Sequence, residues 1–574
     1  MSGNRVTAIV TARGGSKGVL RKNLRTVLGR TLVEHAVIAA RGCMLVDTVA
    51  VSTDDAAIAE EARRLGATVI VRPDSLSGDA ALSADAMAHA LQALPAAEIA
   101  VLLQPTSPLR TADHLTSCLE VFLHSDAKAA VSVCRADAHP WKMLVGTRPV
   151  RDWGSLEQPR QALPPAWRPN GAIYVVRVDD FLREKRFFLQ PMQMFEMNEA
   201  DSIDIDSEAD FAAAEEAMRR RELSRRWVGA SLRFSKAMDM RRLNRTPAWR
   251  REIAADQAAL SAKLASERPA RDACPVCGSA AQSLFARIFA FDYTECGACG
   301  HIYSRTPPEA EAVQRLYAGA GDANSVQRKI YLDAAVYQRR VSDIALPKAA
   351  YVGDFVGERG RWIDIGCGVG EVVAAATQLG WQASGIESDC EEAAFARAMG
   401  SKVTEAYVTG ENAAQLLRNA QVVSFFNVLE HIHEPGALLA AAAGALREGC
   451  LVVAEVPRHP SVSSLCNRLF PQMASRHIYP PDHLHVFTDE SFACMIAAAG
   501  LRPLGVWYFG QDFFDLVCSA AAQQGLEPSV LYDRVLDLSP ALQGVIDRAG
   551  LADTLLAVCE RSPARAKAWR AASA

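Results

Sequence analysis

The stretch ARGGSKGVLRKN, Ala12–Asn23, follows directly on the apolar run VTAIVT and holds two adjacent glycines, a serine and four cationic side chains. Gly14 and Gly15 remove the Cβ atoms that keep a ligand off the main chain, so successive N–H groups can form an anion nest. Ser16 adds a hydroxyl donor. Arg13 and Lys17 flank the nest, and Arg21 and Lys22 follow closely enough to reach a second or third phosphate, the charge density a triphosphate requires. The spacing matches neither the Walker loop nor the dinucleotide fingerprint. A nucleoside triphosphate held by some other fold is the expectation, against a plain solvated basic turn.

Other clusters carry chemistry of their own. In DSIDIDSEAD, alternation puts Asp204 and Asp206 on one face of a strand, because side chains repeat every two residues. Two such carboxylates suit Mg2+ together with phosphate oxygens; the alternative is a helix start capped by Asp206 or Ser207. LLQPTSPLR sets Gln104, Thr106 and Ser107 after an apolar run, and RQALPPAWRPNGAIYVV presents Arg160, Gln161, Arg168 and Asn170 before one. Two C-x-x-C pairs, Cys274/Cys277 and Cys296/Cys299, have eighteen residues between them, the spacing of a structural Zn2+ ribbon. Four unrelated buried thiols are the other reading, and His301 is an alternative ligand to Cys299. In WIDIGCGVGEVV an apolar strand ends in Asp364, and Gly366, Gly368 and Gly370 open the turn to a ligand. Glu387, some twenty residues on at the end of ASGIESD, can accept both hydroxyls of a ribose, an arithmetic that NAD also satisfies.

The elements that must position these residues belong to more than one domain, since 574 residues exceed a single core. Half the residues are hydrophobic, the net charge is −4 and the pI near 6.3, a globular composition without a global nucleic-acid footprint. The N-terminus shows no signal-peptide core and no apolar run spans a membrane, so a cytoplasmic protein without membrane partners is expected. Fourteen cysteines, four of them in the C-x-x-C pairs, fit a reducing compartment with one metal site.

Strand-like runs TAIVTA, DTVAVST, ATVIVRP, IAVLLQP and AAVSVCR alternate with Ala-rich helical segments, which predicts an α/β unit with a largely parallel sheet and a ligand at its strands' carboxyl ends. An Arg-rich helical linker follows, either a solvated surface or a face for an acidic partner. The expected organisation is a nucleotide-binding α/β domain at 1–222, a basic linker at 223–270, a zinc ribbon at 271–306, a second α/β domain at 307–522 and a helical tail at 523–574.

ARGGSKGVLRKN, VSTDD, VRPDSLSGDAALS, LLQPTSPLR, RQALPPAWRPNGAIYVV and SIDIDSEADF resemble, in the same order, the bacterial acylneuraminate cytidylyltransferases. The resemblance covers about Arg5 to Met218. It implies a Rossmann-like nucleotidyltransferase fold, usually a dimer, that joins CTP to a nonulosonic acid with release of pyrophosphate. By motif it implies Arg13, Ser16, Lys17 and Lys22 on the triphosphate, with Arg13 and Lys17 stabilising the departing charge. Asn23, Arg72 and Ser83 are implied on CTP, Gln104, Arg160 and Tyr174 on the sugar side, and Asp204 with Asp206 on Mg2+. Proline often precedes the Arg-Lys-Asn in that family; here Leu20 stands there. A legionaminic or pseudaminic type of acid is the alternative substrate.

VVSFFNVLEHIHEP and GCLVVAEVP make the second α/β run resemble a class I S-adenosylmethionine methyltransferase, with Leu429, Glu430 and His431 on its LEH motif. The cofactor set so implied is Asp364, Gly366, Gly368, Gly370, Glu387 and Asn427. The preceding ribbon and DHLHVFTDESF are similar to sugar-associated methyltransferases, which implies a sugar or glycan acceptor. The sugar C-methyltransferases carry an extra C-terminal domain, so an amine or hydroxyl acceptor is expected. His431, His483 and His485 are the candidate bases. The alternatives are an RNA methyltransferase, disfavoured by charge and by the lack of stacking aromatics in the ribbon, and a non-catalytic binding module.

Overall fold

The computed structural model describes residues 5–562 except 16–17, 79–80, 95–96, 137, 237–239, 244, 266–269, 310, 313–329 and 474–476. The chain divides into two compact units, 1–221 and 222–574. Among the described residues no helix is long and apolar enough to cross a membrane.

The first unit is built on a seven-stranded sheet in the order Met192–Glu196, Ala129–Arg135, Trp167–Arg177, Ile99–Leu103, Val6–Thr11, Thr48–Thr53, Thr68–Val71. All neighbours pair in parallel except Trp167–Arg177, which runs antiparallel to both of its partners. The five strands expected from the apolar runs are all present. They are mostly apolar because helices cover both faces. Ala8 and Val10 pack with Val33, Val37 and Leu115 on one side, while Ile9 and Ala50 pack with Met87 and Leu91 on the other. DDAAIAEEARRLG forms the helix Ala56–Arg64, started by Asp55, whose Oδ1 accepts from the amides of Ala57 and Ile58. Arg13, Asp54, Arg72 and Gln104 therefore stand just beyond the carboxyl ends of parallel strands. Trp167–Arg177 arrives at that same edge with its first half, where its register shifts between Pro169 and Tyr174 around Gly171 at φ +78°.

The second unit has an eight-stranded sheet in the order Ser231–Phe234, Leu501–Phe509, Thr554–Arg561, Leu451–Pro457, Val422–Phe426, Arg361–Ile365, Gln382–Glu387, Val403–Glu405. Thr554–Arg561 is antiparallel to both neighbours and the remaining pairs are parallel.

Three expectations about this half change. The stretch 223–270 is no separate linker. Leu223 and Trp227 enter the core, Ser231–Phe234 pairs with Leu501–Phe509, and the helix Pro247–Leu264 carries Arg250 to the buried Asp515. Its arginines are matched by carboxylates of the same unit, Arg226 by Glu490 and Arg242 by Asp343, each at 2.8 Å. The stretch 523–574 is not a helical tail either. After the helices Val530–Leu536 and Ser539–Arg548 it supplies Thr554–Arg561 to the middle of the sheet. The cysteine module likewise has no boundary at 306. Its strands Gln282–Ile288, Phe291–Cys296 and Ile302–Ser304 are joined by His485–Val486, through the pair Ile302 and Val486.

Gly385, in the strand Gln382–Glu387, lies so close to the turn after Arg361–Ile365 that a Cβ there collides with the Cys367 thiol and crowds Val373 at 3.1 Å. Gly385→Ala is expected to cost the second unit about 1–3 kcal/mol, as overpacked cores do. Denaturant unfolding of the full chain checks this, with the first unit's transition unmoved.

Candidate functional sites

In the first unit the Gly-rich loop is pinned by its surroundings. A Cβ on Gly14 would lie 2.7 Å from Asp55 Oδ2, and one on Gly18 would lie 2.6 Å from the carbonyl oxygen of Asp206. Gly14 N donates to Asp54 Oδ1 at 3.1 Å. Asn23 Nδ2 donates to the Arg13 carbonyl at 2.9 Å, and Arg13 Nη1 to Gly78 O at 3.1 Å. Lys22 Nζ reaches both Ile205 O at 2.7 Å and Asp206 Oδ1 at 3.0 Å. Arg72 stands 3.6 Å from Asp54; burial lowers its pKa, and the charge of Asp54 offsets part of that.

Asp204 and Asp206 lie outside any strand, shortly before the helix Glu208–Arg226. The expected strand face is therefore corrected, because residues 202–206 have no ladder partner. The two carboxylates still sense one another. The Asp204 carboxyl is pushed up by desolvation and then by Asp206, with Thr106 and Lys22 acting against this. A Cβ on Gly171 would stand 2.9 Å from Gln104 Oε1 and 3.5 Å from Asp204 Oδ2, so these groups converge. Tyr174 is half-buried nearby, its phenol raised by burial and by Asp204, hence neutral and able to donate. Ser83 opens the helix Ser83–Gln92, and Arg160 sits on an exposed turn. Ser16 and Lys17 lie outside the described residues.

Asp54 and Arg110 carry weight that the sequence reading missed. Arg110 is buried and braces the loop from behind, donating to Gln104 O at 3.0 Å and Ala172 O at 2.8 Å, with burial lowering its pKa to about 9. Only its place in LLQPTSPLR pointed to it.

In the second unit a cavity of about 380 Å³ opens at the carboxyl ends of the parallel strands, lined among others by Asp364, Gly366, Gly368, Glu387 and Asn427. Gly366 and Gly368 take φ +62° and +53°. Glu387 clamps the turn: Oε2 accepts from Gly368 N at 2.8 Å, and Oε1 from Ser388 N and Asp389 N at 2.7 and 2.8 Å. A carboxylate has about four acceptor positions, so ribose hydroxyls can still be received. Asp364 is buried, held by Ser424 Oγ at 2.5 Å, and burial raises its carboxyl to about 8. Gly370 stands apart from this lining. Its φ of +79° starts the helix Glu371–Gln378, and a Cβ there would press on Ser401 and Ala396 at 3.0 and 3.1 Å. Its job is to let chain segments approach.

The cavity floor also holds an ion pair not foreseen from sequence, Lys348 Nζ to Glu455 Oε2 at 2.6 Å, with Asn427 Nδ2 donating to Glu455 Oε1 at 3.0 Å. Burial would raise the Glu455 carboxyl, but Lys348 outweighs it and the group stays ionised. These residues suit S-adenosylmethionine: carboxylates for a cationic ligand, a bare turn, and a ribose acceptor.

Of the candidate histidines, His431 and His483 line the cavity, as does His477, whose Nε2 meets Asp553 at 3.0 Å. Burial lowers His431 to about 4, against the carbonyls of Asp482 and Asn427. His485 lies elsewhere, wholly buried between Ile432 O at 2.9 Å and His301 at 3.1 Å. His301 also contacts Ser491, so it takes no part in the cysteine cluster.

The four thiols of Cys274, Cys277, Cys296 and Cys299 lie within 4.8 Å of one another, with Sγ separations of 3.8 Å for Cys274 and Cys299 and 3.6 Å for Cys277 and Cys296. A regular tetrahedron with Zn–S near 2.3 Å has edges of about 3.8 Å, so the set fits one Zn2+. Gly278 and Gly300, at φ +74° and +67°, close the two knuckles.

Comparison with known proteins agrees with this division. A cytidylyltransferase family model matches residues 7–225, and a methyltransferase domain model matches residues 337–505. An N-acylneuraminate cytidylyltransferase of Streptococcus agalactiae is 32% identical over 209 residues, 35% of this chain and 51% of its own length. One from Escherichia coli is 30% identical over 219 residues, covering 37% and 51%. A CMP-N,N'-diacetyllegionaminic acid synthase of Legionella pneumophila is 30% identical over 229 residues, 37% of this chain and 96% of its own length. The chain thus spans about half the length of the streptococcal and Escherichia relatives and nearly all of the Legionella one.

Cobalt substitution tests the cysteine cluster. A thiolate-to-metal charge-transfer band is expected, and Cys296→Ser should abolish it and lower the unfolding midpoint of the second unit. A wild-type chain without that band contradicts the metal site.

Proposed function

The chain belongs to the cytidylyltransferase family through residues 7–225, and from that membership we propose a transferase with two activities. The first unit joins CMP from CTP to a nonulosonic acid of the sialic or legionaminic type and releases pyrophosphate. The second unit transfers methyl from S-adenosylmethionine to that sugar or to a glycan built from it. The observation that carries the first activity is the pairing of Lys22 with Asp206 beside Arg13 and Asn23, which sets cations and a carboxylate where a metal-bound triphosphate requires both. The second rests on the cavity beneath Gly366 and Gly368, walled by Glu387.

In the first unit the anomeric oxygen attacks the α-phosphorus, its proton leaving by way of Asp206, and the bond to the departing pyrophosphate breaks. Phosphoryl-type transfer of this kind needs positioning and charge more than a covalent nucleophile. Mg2+, when held by Asp204 and Asp206, supplies charge neutralisation at the phosphates. Arg13 and Lys22 meet the charge that develops on pyrophosphate, with Ser16 and Lys17 of the same loop assigned there by family motif. Gln104 and the neutral Tyr174 face the sugar, and Arg160 is assigned to its carboxylate as a bidentate partner.

In the second unit S-adenosylmethionine, when bound, supplies an electrophilic methyl on a sulfonium. Glu387 orients its ribose, and the carboxylate of Glu455, joined by that of Asp364 once it is ionised, favours its positive charge. An acceptor hydroxyl or amine approaches past His431, His483 and His477, the imidazoles that line the cavity.

Pyrophosphate release with CTP, Mg2+ and a panel of nonulosonic acids, followed by mass analysis with and without S-adenosylmethionine, tests both activities. A CMP-sugar and an added methyl mass are expected. CTP binding without turnover on any acid overturns the first assignment; a second unit that fails to bind S-adenosylmethionine is a tethering module instead. Lys22→Ala should lower kcat about 10²–10³-fold, the size of a lost transition-state donor.

Asp364 gives a pH signature. Its carboxyl is raised to about 8, so the folded protein holds this proton until the pH passes that value. A cationic cofactor favours the ionised form, and cofactor affinity should rise with pH toward about 8 and then level. Asp364→Asn should flatten the profile, as read by calorimetric titration.

A further inference from the structure

Glu430, His431 and His483 meet in the cavity wall, each offering a ligating atom within 4.8 Å of the others. Both imidazoles are braced from behind. Nδ1 of His431 is 3.0 Å from the carbonyl of Asp482, and Nδ1 of His483 is 3.1 Å from that of His477. A carbonyl only accepts, so Nδ1 of each ring can carry the hydrogen that meets it, and Nε2 is then the ring atom able to ligate. A ring N–H held by a main-chain carbonyl is the usual support of a metal-ligating histidine.

The third member is a carboxylate with no exposed surface. The segments that carry the three residues are locked together independently of any ion. Leu484 N donates to Glu430 O at 2.7 Å, His485 Nε2 bonds Ile432 O at 2.9 Å, and Tyr293 donates to His483 O at 2.7 Å. The trio is therefore built before a ligand arrives.

We propose that Glu430, His431 and His483 hold a divalent transition cation in the wall of the methyltransferase cavity, with an open position for an oxygen of the methyl acceptor. Two nitrogens and one carboxylate oxygen suit zinc, cobalt, manganese or iron rather than calcium or magnesium. Three protein ligands leave at least one position open. His431 and His483 line the cavity whereas Glu430 stands behind them, so the open position faces the ligand side. The class of acceptor so selected carries an oxygen able to ligate. Its role as acceptor rests on the methyl-transfer reading above; cation binding does not.

The full chain, stripped by a chelator and reloaded with Co2+ alone, tests this. Wild type is expected to retain two ions after gel filtration, one with the thiolate charge-transfer band and one with only the weak visible bands of nitrogen and oxygen ligation. H483A and, separately, E430Q should lose the second ion and keep the thiolate band, which also reports that the adjoining sheet has folded. Retention of a single thiolate-bound ion by wild type overturns the proposal, as does retention of both ions by the two variants. S-adenosylmethionine binding, measured in parallel, separates the readings. Two ions without cofactor binding sinks the methyl-transfer reading alone, and cofactor binding with one ion sinks the cation site alone.

Discussion

The guanidinium of Arg458 is the interaction on which the second unit depends. It lies buried against Asp489, with Nη2 2.6 Å from Oδ2, and Nη1 donates to the carbonyls of Pro460, Gly550 and Ala552. Asp489 in turn accepts from Tyr508, whose hydroxyl accepts from Trp227. One charge therefore ties the strand Leu451–Pro457, the helix Asp489–Ala498, the entry to Thr554–Arg561 and the start of the unit near Trp227. Removing one partner of such a pair costs about 3–5 kcal/mol, because the other charge is left in a dry interior. A pair placed this way fixes which segments belong together as much as it stabilises them.

What was legible in the sequence and what was not divides along the same line. The strands of the first unit, the two glycine turns and the cysteine knuckles are local signals, each complete within about a dozen residues. SLRF and TLLAVCER are short runs whose status as strands depends on partners far along the chain, Leu501–Phe509 for the first and Leu451–Pro457 with Leu501–Phe509 for the second, and nothing near them names those partners. The Arg-rich stretch read as a linker for the same reason. Its charges look unmatched in sequence, yet Asp515, Glu490 and Asp343 match them in space. Asp204 and Asp206 illustrate a subtler failure. Alternation predicts a strand, but a ladder requires a neighbour that residues 202–206 lack.

The candidate sites follow a related pattern. Polar groups that the sequence singled out lay inside motifs, as with Lys22, Asn23, Gln104, Asp364 and Glu387. Their supporting groups were not singled out, because Asp54, Arg110, Lys348 and His477 act through burial and through contacts with distant chain. The histidines show how little a residue type decides on its own. His431 and His483 reach the cavity, while His485, two residues further on, is spent on His301 and a carbonyl inside the small sheet. The glycines likewise divide: Gly14 and Gly18 admit neighbouring backbone and carboxylate, whereas Gly370 admits a packed side chain.

The antiparallel strand Thr554–Arg561 sits between Leu451–Pro457 and Leu501–Phe509, near the middle of its sheet. During synthesis the first unit can close as soon as its own sheet has left the ribosome, but the second cannot. Its edge strand Ser231–Phe234 and its small cysteine-bearing sheet must wait, the former for Leu501–Phe509 and the latter for His485–Val486. The gap between Leu451–Pro457 and Leu501–Phe509 stays open until residue 561 has emerged. Over that interval Leu451–Pro457 and Leu501–Phe509 each keep an edge without its final partner, the kind of surface that invites wrong association, while the first unit can already have closed.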